Sequence, residues 1–165
     1  MVEPHDFFMN EAYAEAQKAF ANDEVPIGAV IVRNGEVVGR GFNKIELEQD
    51  PTAHAEIIAL RDAAKNLGSW KWLEECDLYV SVEPCVMCLG AIFQSRIKTL
   101  VFGAGNSRYG AITGKNYIEI AKTAYMKEPL VIGGVCEEKC RDLLQNFFKK
   151  IRIENKNPPN RRPVS

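Results

Sequence analysis

Histidine is scarce in this sequence, whose 165 residues include only His5 and His54. Long apolar runs are absent, since none approaches the roughly 20 residues that a membrane-spanning helix needs. The N-terminal residues also lack a basic segment followed by an apolar one, which is the pattern of a secretory signal. We therefore expect a cytoplasmic protein with no membrane partner.

An excess of charge of either sign is lacking too, because 21 basic and 22 acidic residues give a net charge of −1. The molecule as a whole is thus not expected to bind nucleic acid non-specifically, and any basic surface must be local. One such segment lies near the C-terminus, where six cations outnumber the acids: Lys149, Lys150, Arg152, Lys156, Arg161 and Arg162. A solvated helix end is the simpler interpretation, and a phosphate-binding surface is the alternative.

The five cysteines are an odd set that does not suit a disulfide framework. In a reducing compartment such residues are metal ligands or buried thiols. We expect Cys76 to be a thiol buried beside a strand, and Cys136 and Cys140 to be thiols on the inner face of the last helix. Cys85 and Cys88 are left as the pair with metal-ligand spacing.

Hydrophobic periodicity predicts a single α/β domain over residues 1–153. The predicted helices span 6–21, 53–66, 85–94 and 137–153. The predicted strands span 27–32, 36–42, 77–82, 99–102 and 130–135. The polar residues 154–165 predict a disordered basic tail.

Turn residues refine this outline. Asn34-Gly35 predicts a tight hairpin with two residues of positive φ. Gly39 and Gly41 mark places where the backbone passes close to another element. Pro84 is predicted to occupy the first turn of the helix over 85–94, where proline is well tolerated.

Two short motifs carry the chemistry: His54-Ala55-Glu56, and Pro84-Cys85-Val86-Met87-Cys88. His54, Cys85 and Cys88 provide one imidazole and two thiolates, which leave the fourth tetrahedral position of a zinc ion open. The sequence therefore predicts one catalytic zinc per subunit, with a bound water or hydroxide. Glu56 is surplus to the ligand set and is predicted to be the catalytic acid and base.

A closed four-cysteine site is the competing arrangement. It would use Cys85, Cys88, Cys136 and Cys140, and it would leave His54 idle. The open site is favoured because both of its halves are predicted to lie at helix starts, where the helix dipole favours thiolates. Activated water beside a free carboxylate suits hydrolytic deamination of an aromatic amidine.

Further stretches resemble a known family: Asp23 to Val30, Gly41-Phe42-Asn43, Asp50 to Ile57, Leu78 to Cys88, Ser95-Arg96-Ile97 and Val101-Phe102-Gly103-Ala104. Over approximately residues 6–153 the chain resembles the cytidine deaminase-like superfamily and, within it, the bacterial tRNA adenosine deaminases. The resemblance implies a three-layer α/β/α fold with a single mixed five-stranded sheet whose fifth strand runs parallel to the fourth. It also implies a homodimer that converts the wobble adenosine of a tRNA anticodon to inosine.

The resemblance also implies three substrate-binding residues. Asn43 matches the family's base-contacting asparagine, and a loop cap is the equal alternative for it. Ala55 is expected to offer backbone hydrogen bonding and room for the ring. Asn106 stands where the family commonly has aspartate, and its amide can accept a hydrogen bond from a ribose hydroxyl. The anticodon stem-loop is the expected partner, with the basic C-terminal helix as a candidate for its phosphates.

Two other functions stay open, the first of them because the stretch 105–129 departs from the family's wording. One is deamination of a free base or small nucleotide of the guanine or cytosine type. The other is a non-catalytic RNA-binding subunit of a deaminase complex, against which the presence of Glu56 argues.

Overall fold

A computed structural model describes residues 4–115, 117–124 and 127–156 of the chain. Five strands form one sheet in the order β2-β1-β3-β4-β5. The strands are β1 (Gly28–Arg33), β2 (Glu36–Phe42), β3 (Asp77–Val82), β4 (Thr99–Ala104) and β5 (Leu130–Gly133). β1 runs antiparallel to both of its neighbours. β3, β4 and β5 are parallel, so the sheet is mixed and the predicted direction of the fifth strand is confirmed.

Six α-helices and one 3-10 helix surround the sheet within the described ranges. They are α1 (Pro4–Ala21), α2 (Ile45–Glu48), α3 (Ala55–Asn66), the 3-10 helix (Trp70–Glu75), α4 (Val86–Gln94), α5 (Tyr117–Ala124) and α6 (Glu137–Lys156). None of these helices combines the length and the apolar character needed to cross a bilayer, as far as the described residues show.

Two hydrophobic cores, one on each side of the sheet, make three layers. Strand residues alternate between the cores, as the two-residue period of a strand requires. Ala29 and Ile31 of β1 pack in the core with helices α3 and α4. Val30 and Val32 pack in the other core with α1 and α6. The predicted three-layer α/β/α architecture with a single mixed five-stranded sheet is confirmed.

Backbone conformation explains the turn residues. Asn34 and Gly35 have φ values of 52° and 80°, as the predicted hairpin requires. Gly41 lies directly under the first turn of α3, where a Cβ would be 2.4 Å from the carbonyl oxygen of Ala55. Glycine at this position lets β2 and α3 touch through their backbones.

Some element boundaries differ from the predicted ones. Cys85 is the N-cap of α4 and the helix begins at Val86, so the placement of Pro84 in the first turn was wrong. Pro84 precedes the cap and lies in the connection between β3 and α4. α6 continues to Lys156, so the first three residues of the predicted tail are helical. The remainder of that tail, 157–165, lies outside the described residues.

Three helices had no clear sequence signal. α2 spans only four residues, too few for periodicity to be visible. The 3-10 helix begins where the Ser69 hydroxyl accepts a hydrogen bond from the N–H of Lys71. α5 falls in the stretch 105–129 that departs from the family pattern. These elements are local additions and leave the order of the sheet unchanged.

Candidate active site

Two helix starts bring the predicted metal ligands together. His54 is the N-cap residue of α3 and Cys85 is the N-cap residue of α4. Cys88 lies one turn into α4 and is buried. His54 Nδ1 is 3.7 Å from Cys85 Sγ and 3.5 Å from Cys88 Sγ. The three donor atoms all lie within 4.8 Å of one another.

These spacings fit a tetrahedral zinc site. Bond lengths of about 2.3 Å to sulfur and about 2.0–2.1 Å to nitrogen, at tetrahedral angles, separate a nitrogen from a sulfur by about 3.6 Å. The two nitrogen–sulfur distances, 3.7 and 3.5 Å, lie on either side of that value. His54, Cys85 and Cys88 can therefore hold one metal ion without rearrangement and leave a fourth position open.

The structure separates the two cysteine pairs of the four-cysteine alternative. Cys140 is buried in the core between the sheet and the α1–α6 layer, and Cys136 packs against that core. α4, which carries Cys88, packs on the opposite face of the sheet. Within the described ranges, the one group of three or more candidate ligands close enough to hold an ion is His54 with Cys85 and Cys88.

The side chains of His54, Cys85 and Cys88 are linked to one another by hydrogen bonds. A hydrogen bond with Cys88 lowers the pKa of Cys85 to about 4. The same contact raises the pKa of Cys88, because its thiol proton is held between the two sulfurs. A hydrogen bond with Cys85 raises the pKa of His54. Metals bind thiolates and neutral imidazole, so a bound cation would replace these shared protons.

Glu56 lies beside the ligands in the first turn of α3. Its side chain is 3% exposed. Burial away from water raises the pKa of Glu56 to about 7. Its Oε2 atom has no hydrogen-bond partner among the described residues. An unpaired buried carboxylate oxygen is costly, and it is typical of a group that meets a substrate or water.

Asn43 lies at the end of β2, where it is buried and touches the start of α3. Its Oδ1 accepts a hydrogen bond of 2.9 Å from the backbone N–H of Ala55. The bond ties the end of β2 to the first turn of α3 and uses none of the amide N–H donors of Asn43. The backbone N–H of Ala55 is thereby occupied.

Asn106 begins the turn that follows β4. Its Oδ1 accepts hydrogen bonds of 3.0 Å from the N–H of Tyr109 and 3.3 Å from that of Arg108. The amide oxygen therefore stabilises the turn, and the amide N–H group is the part of the side chain left for other contacts.

Glu83 had no role in the sequence prediction. Its carboxylate is buried and accepts hydrogen bonds from the backbone N–H groups of Asn106, Ile112 and Thr113 and from the Thr113 hydroxyl. Burial alone would raise the pKa of Glu83, but these bonds bring it below the ordinary value. Its signals in the sequence were its place between a buried strand and Pro84 and its inclusion in the family-like stretch Leu78 to Cys88.

Comparisons with known proteins agree with this geometry. The family model of MafB19-like deaminases matches residues 3–152. A tRNA-specific adenosine deaminase from Bacillus subtilis is 42% identical over 151 residues, which are 92% of each chain. A solved structure from a study of A-to-I editing by tRNA:A34 deaminases is 39% identical with a TM-score of 0.78, covering 83% of this chain and 98% of the other.

A guanine deaminase structure from Bacillus subtilis is also similar. It is 43% identical with a TM-score of 0.59, and the match covers 61% of this chain and 64% of the other. The likeness to the tRNA deaminase structure therefore extends over more of the fold.

Proposed function

Because the chain belongs to the MafB19-like deaminase family, with relatives among the tRNA-specific adenosine deaminases, we propose that it converts the wobble adenosine of a tRNA anticodon to inosine. The observation that carries the chemistry is the tetrahedral spacing of His54, Cys85 and Cys88 beside Glu56, whose Oε2 atom has no hydrogen-bond partner among the described residues. The proposed substrate is inferred from the relatives, which match over nearly the full chain.

The proposed cofactor is one zinc ion per subunit, held by His54, Cys85 and Cys88. This donor set suits zinc because it combines an imidazole with two thiolates and has tetrahedral spacing. When bound in such a site, zinc makes a water molecule acidic enough to act as a nucleophile near neutral pH.

Glu56 moves the protons of the reaction. Its carboxylate takes a proton from the water whose oxygen adds to C6 of the adenine ring, and passes it to N1. It then moves the remaining proton from the new C6 hydroxyl to the amino group. The C6–N bond breaks, ammonia leaves, and C6 becomes the carbonyl carbon of inosine. Burial of Glu56 keeps bulk water away from these transfers.

The three predicted substrate-binding residues have distinct proposed roles. Asn43 would present its amide N–H donors to the edge of the purine, since its oxygen is bonded to Ala55. Ala55 would supply space for the ring, because its backbone N–H is occupied and its side chain is small. Asn106 would donate from its amide to a ribose oxygen, since its own oxygen caps the turn.

An anticodon loop suits this site because a single-stranded base can be turned into a pocket at little cost. Cations of α6 are candidates for phosphate contacts, and Lys149 and Arg152 are both exposed. Lys150 is a weaker candidate because it is paired with Asp23 at 2.5 Å. A tRNA substrate also supports the proposed cytoplasmic location.

We also propose a homodimer. α4 is apolar along most of its length, and one face carries the buried Leu89 and Ile92. On its remaining surface Val86 is 56% exposed and Met87 is half-buried. A second subunit would cover this apolar surface beside the metal ligands. Sedimentation that gives a monomer at micromolar concentration would contradict the dimer and leave the reaction untouched.

The decisive experiment incubates zinc-loaded protein with an anticodon stem-loop carrying A34 and measures inosine. Glu56→Gln is expected to keep one zinc per chain and to reduce turnover at least about 10³-fold, because an amide cannot exchange protons. Glu36→Gln, at the exposed hairpin, is the matched control and should leave turnover unchanged. Full zinc with no inosine in the parent protein would refute the proposed substrate.

Deamination of free guanine is the second candidate, favoured by the similarity to the guanine deaminase structure. Ammonia release from guanine or cytidine, without inosine in the stem-loop, would establish a small-molecule substrate. If none of these substrates reacts although zinc is bound, the result would favour a non-catalytic subunit, and the buried Oε2 atom of Glu56, which has no partner among the described residues, would then have no explanation.

A further inference from the structure

Glu83 holds together a segment that follows β4 in the chain. This carboxylate comes directly after β3 and is 2% exposed. Its Oε2 accepts from the Asn106 N–H at 2.9 Å, and its Oε1 accepts from the N–H groups of Ile112 at 2.8 Å and Thr113 at 2.6 Å. The Thr113 hydroxyl is a fourth donor. We call residues 105–113, which surround this carboxylate, the 105–113 loop.

The 105–113 loop lies against a metal ligand. Gly110 forms an isolated antiparallel bridge with Cys85. The next N–H along the loop, from Ala111, donates to the carbonyl oxygen of Pro84 at 2.9 Å. A Cβ on Gly110 would be 2.4 Å from the Glu83 carboxyl carbon, so the carboxylate packs directly on the loop backbone. Glu83 therefore anchors the loop beside Cys85 together with these backbone contacts.

The outer end of the loop carries groups suited to single-stranded nucleic acid. Tyr109 is 60% exposed. The Arg108 guanidinium lies 5.0 Å from the centre of the Tyr109 ring, so one ring face meets a cation. Aromatic rings stack on unpaired bases and arginine contacts phosphates, whichever base is present. The conformation of the loop decides where both side chains point.

We propose that Glu83 is a positioning residue for deamination. Its buried carboxylate fixes the 105–113 loop against Cys85 so that Tyr109 and Arg108 meet the nucleotides flanking the reacting base. The role rests on the proposed function, since it concerns substrate binding to that same site. A neutral amide cannot replace the carboxylate, because one of its two terminal atoms would point N–H donors at backbone N–H donors.

The test compares Glu83→Gln with Glu15→Gln. Glu15 is a matched control because it is equally buried, at 3% exposed, but lies on α1, where it pairs with Lys18. Hydrogen exchange measured on the zinc-loaded proteins should accelerate at least about tenfold for the N–H groups of Asn106, Ile112 and Thr113 in Glu83→Gln only. The loss of one charge-assisted hydrogen bond is expected to change the opening equilibrium, and so the exchange rate, by about tenfold or more.

Steady-state kinetics on the stem-loop give the second readout. In Glu83→Gln the KM should rise about tenfold while kcat per bound zinc changes less than about threefold, because substrate binding is lost before chemistry. Glu83→Asp keeps the charge, so its KM should lie between those of the parent protein and Glu83→Gln. A merely structural role would lower zinc content or the melting temperature and leave KM unchanged, and that result would overturn the proposal.

Failure of the proposed function and failure of the role of Glu83 give different results. If the parent protein makes no inosine, the proposed function fails, and hydrogen exchange of the loop still decides whether Glu83 fixes it. If Glu83→Gln does not fold, Thr113→Val removes one donor at an exposed residue. That variant should accelerate exchange in the loop about threefold, and unchanged exchange would refute the role of Glu83.

Discussion

Gly41→Ala is expected to damage the proposed metal site through packing alone. A Cβ at this position would lie 2.4 Å from the Ala55 carbonyl oxygen and 2.6 Å from the Ala59 nitrogen. Both atoms belong to the backbone of α3 and cannot rotate away. Ordinary van der Waals contact begins at 3.4 Å, so the first turn of α3 must retreat by about 1 Å.

The retreat would affect zinc binding and stability together. His54 and Glu56 move with the first turn of α3, while Cys85 and Cys88 stay with α4. Overpacking of this kind costs about 1–3 kcal/mol of unfolding free energy. A misplacement of about 1 Å at an active site can cost about 10²-fold in rate. We therefore expect weaker zinc binding, at least about tenfold, and a lower urea midpoint.

Gly39→Ala is the matched control. It also places a Cβ against the backbone of α3, 2.6 Å from the Ala59 carbonyl oxygen and the Ala63 nitrogen, but further from the ligands. Both variants should lose stability, measured by urea unfolding of zinc-loaded protein. Only Gly41→Ala should lose zinc disproportionately in a competition titration with a chelator. Equal zinc affinity in both variants would refute the reasoning.

Two further predictions concern the cysteines. Cys85→Ala should lose the metal and lower the melting temperature, whereas Cys76→Ala, at a buried thiol outside the site, should keep one zinc per chain by elemental analysis. Retention of zinc by the Cys85 variant would contradict the ligand set. Burial raises the pKa of Cys140 from 9.0 to about 12, so the folded state holds this proton more tightly than the unfolded state. The stabilising contribution is complete below pH 9 and falls as pH rises towards 12, by at most about 1.4 kcal/mol per pH unit. When urea unfolding is measured between pH 9 and 11, the unfolding free energy should fall less steeply with pH in Cys140→Ala than in the parent protein. The same slope in both proteins would contradict this.

Most of the fold was predictable because its signals are local. β1 is apolar from Gly28 to Val32, and Asn34-Gly35 fixes the turn that leads into β2. The family resemblance is likewise carried by contiguous stretches, and the relatives confirm it. α2 and α5 were missed because one is four residues long and the other lies in a divergent stretch.

The sequence by itself determined which side chains are available for chemistry. The first motif places an imidazole at a predicted helix start with a carboxylate two residues further on. The second places a Cys-x-x-Cys pair at another predicted helix start. Helix starts impose their own geometry on such short motifs, so the identities of His54, Cys85, Cys88 and Glu56 could be chosen before any contact was known.

Tertiary structure alone decided how these groups are arranged and held. The distances between His54 and the two sulfurs depend on how α3 and α4 pack on the sheet. Glu83 reaches donors 23 to 30 residues further along the chain, a pairing that no local pattern encodes. Gly41 matters because a helix backbone lies over it. Long-range packing fixes these contacts, since their partners meet only when the sheet brings distant segments together.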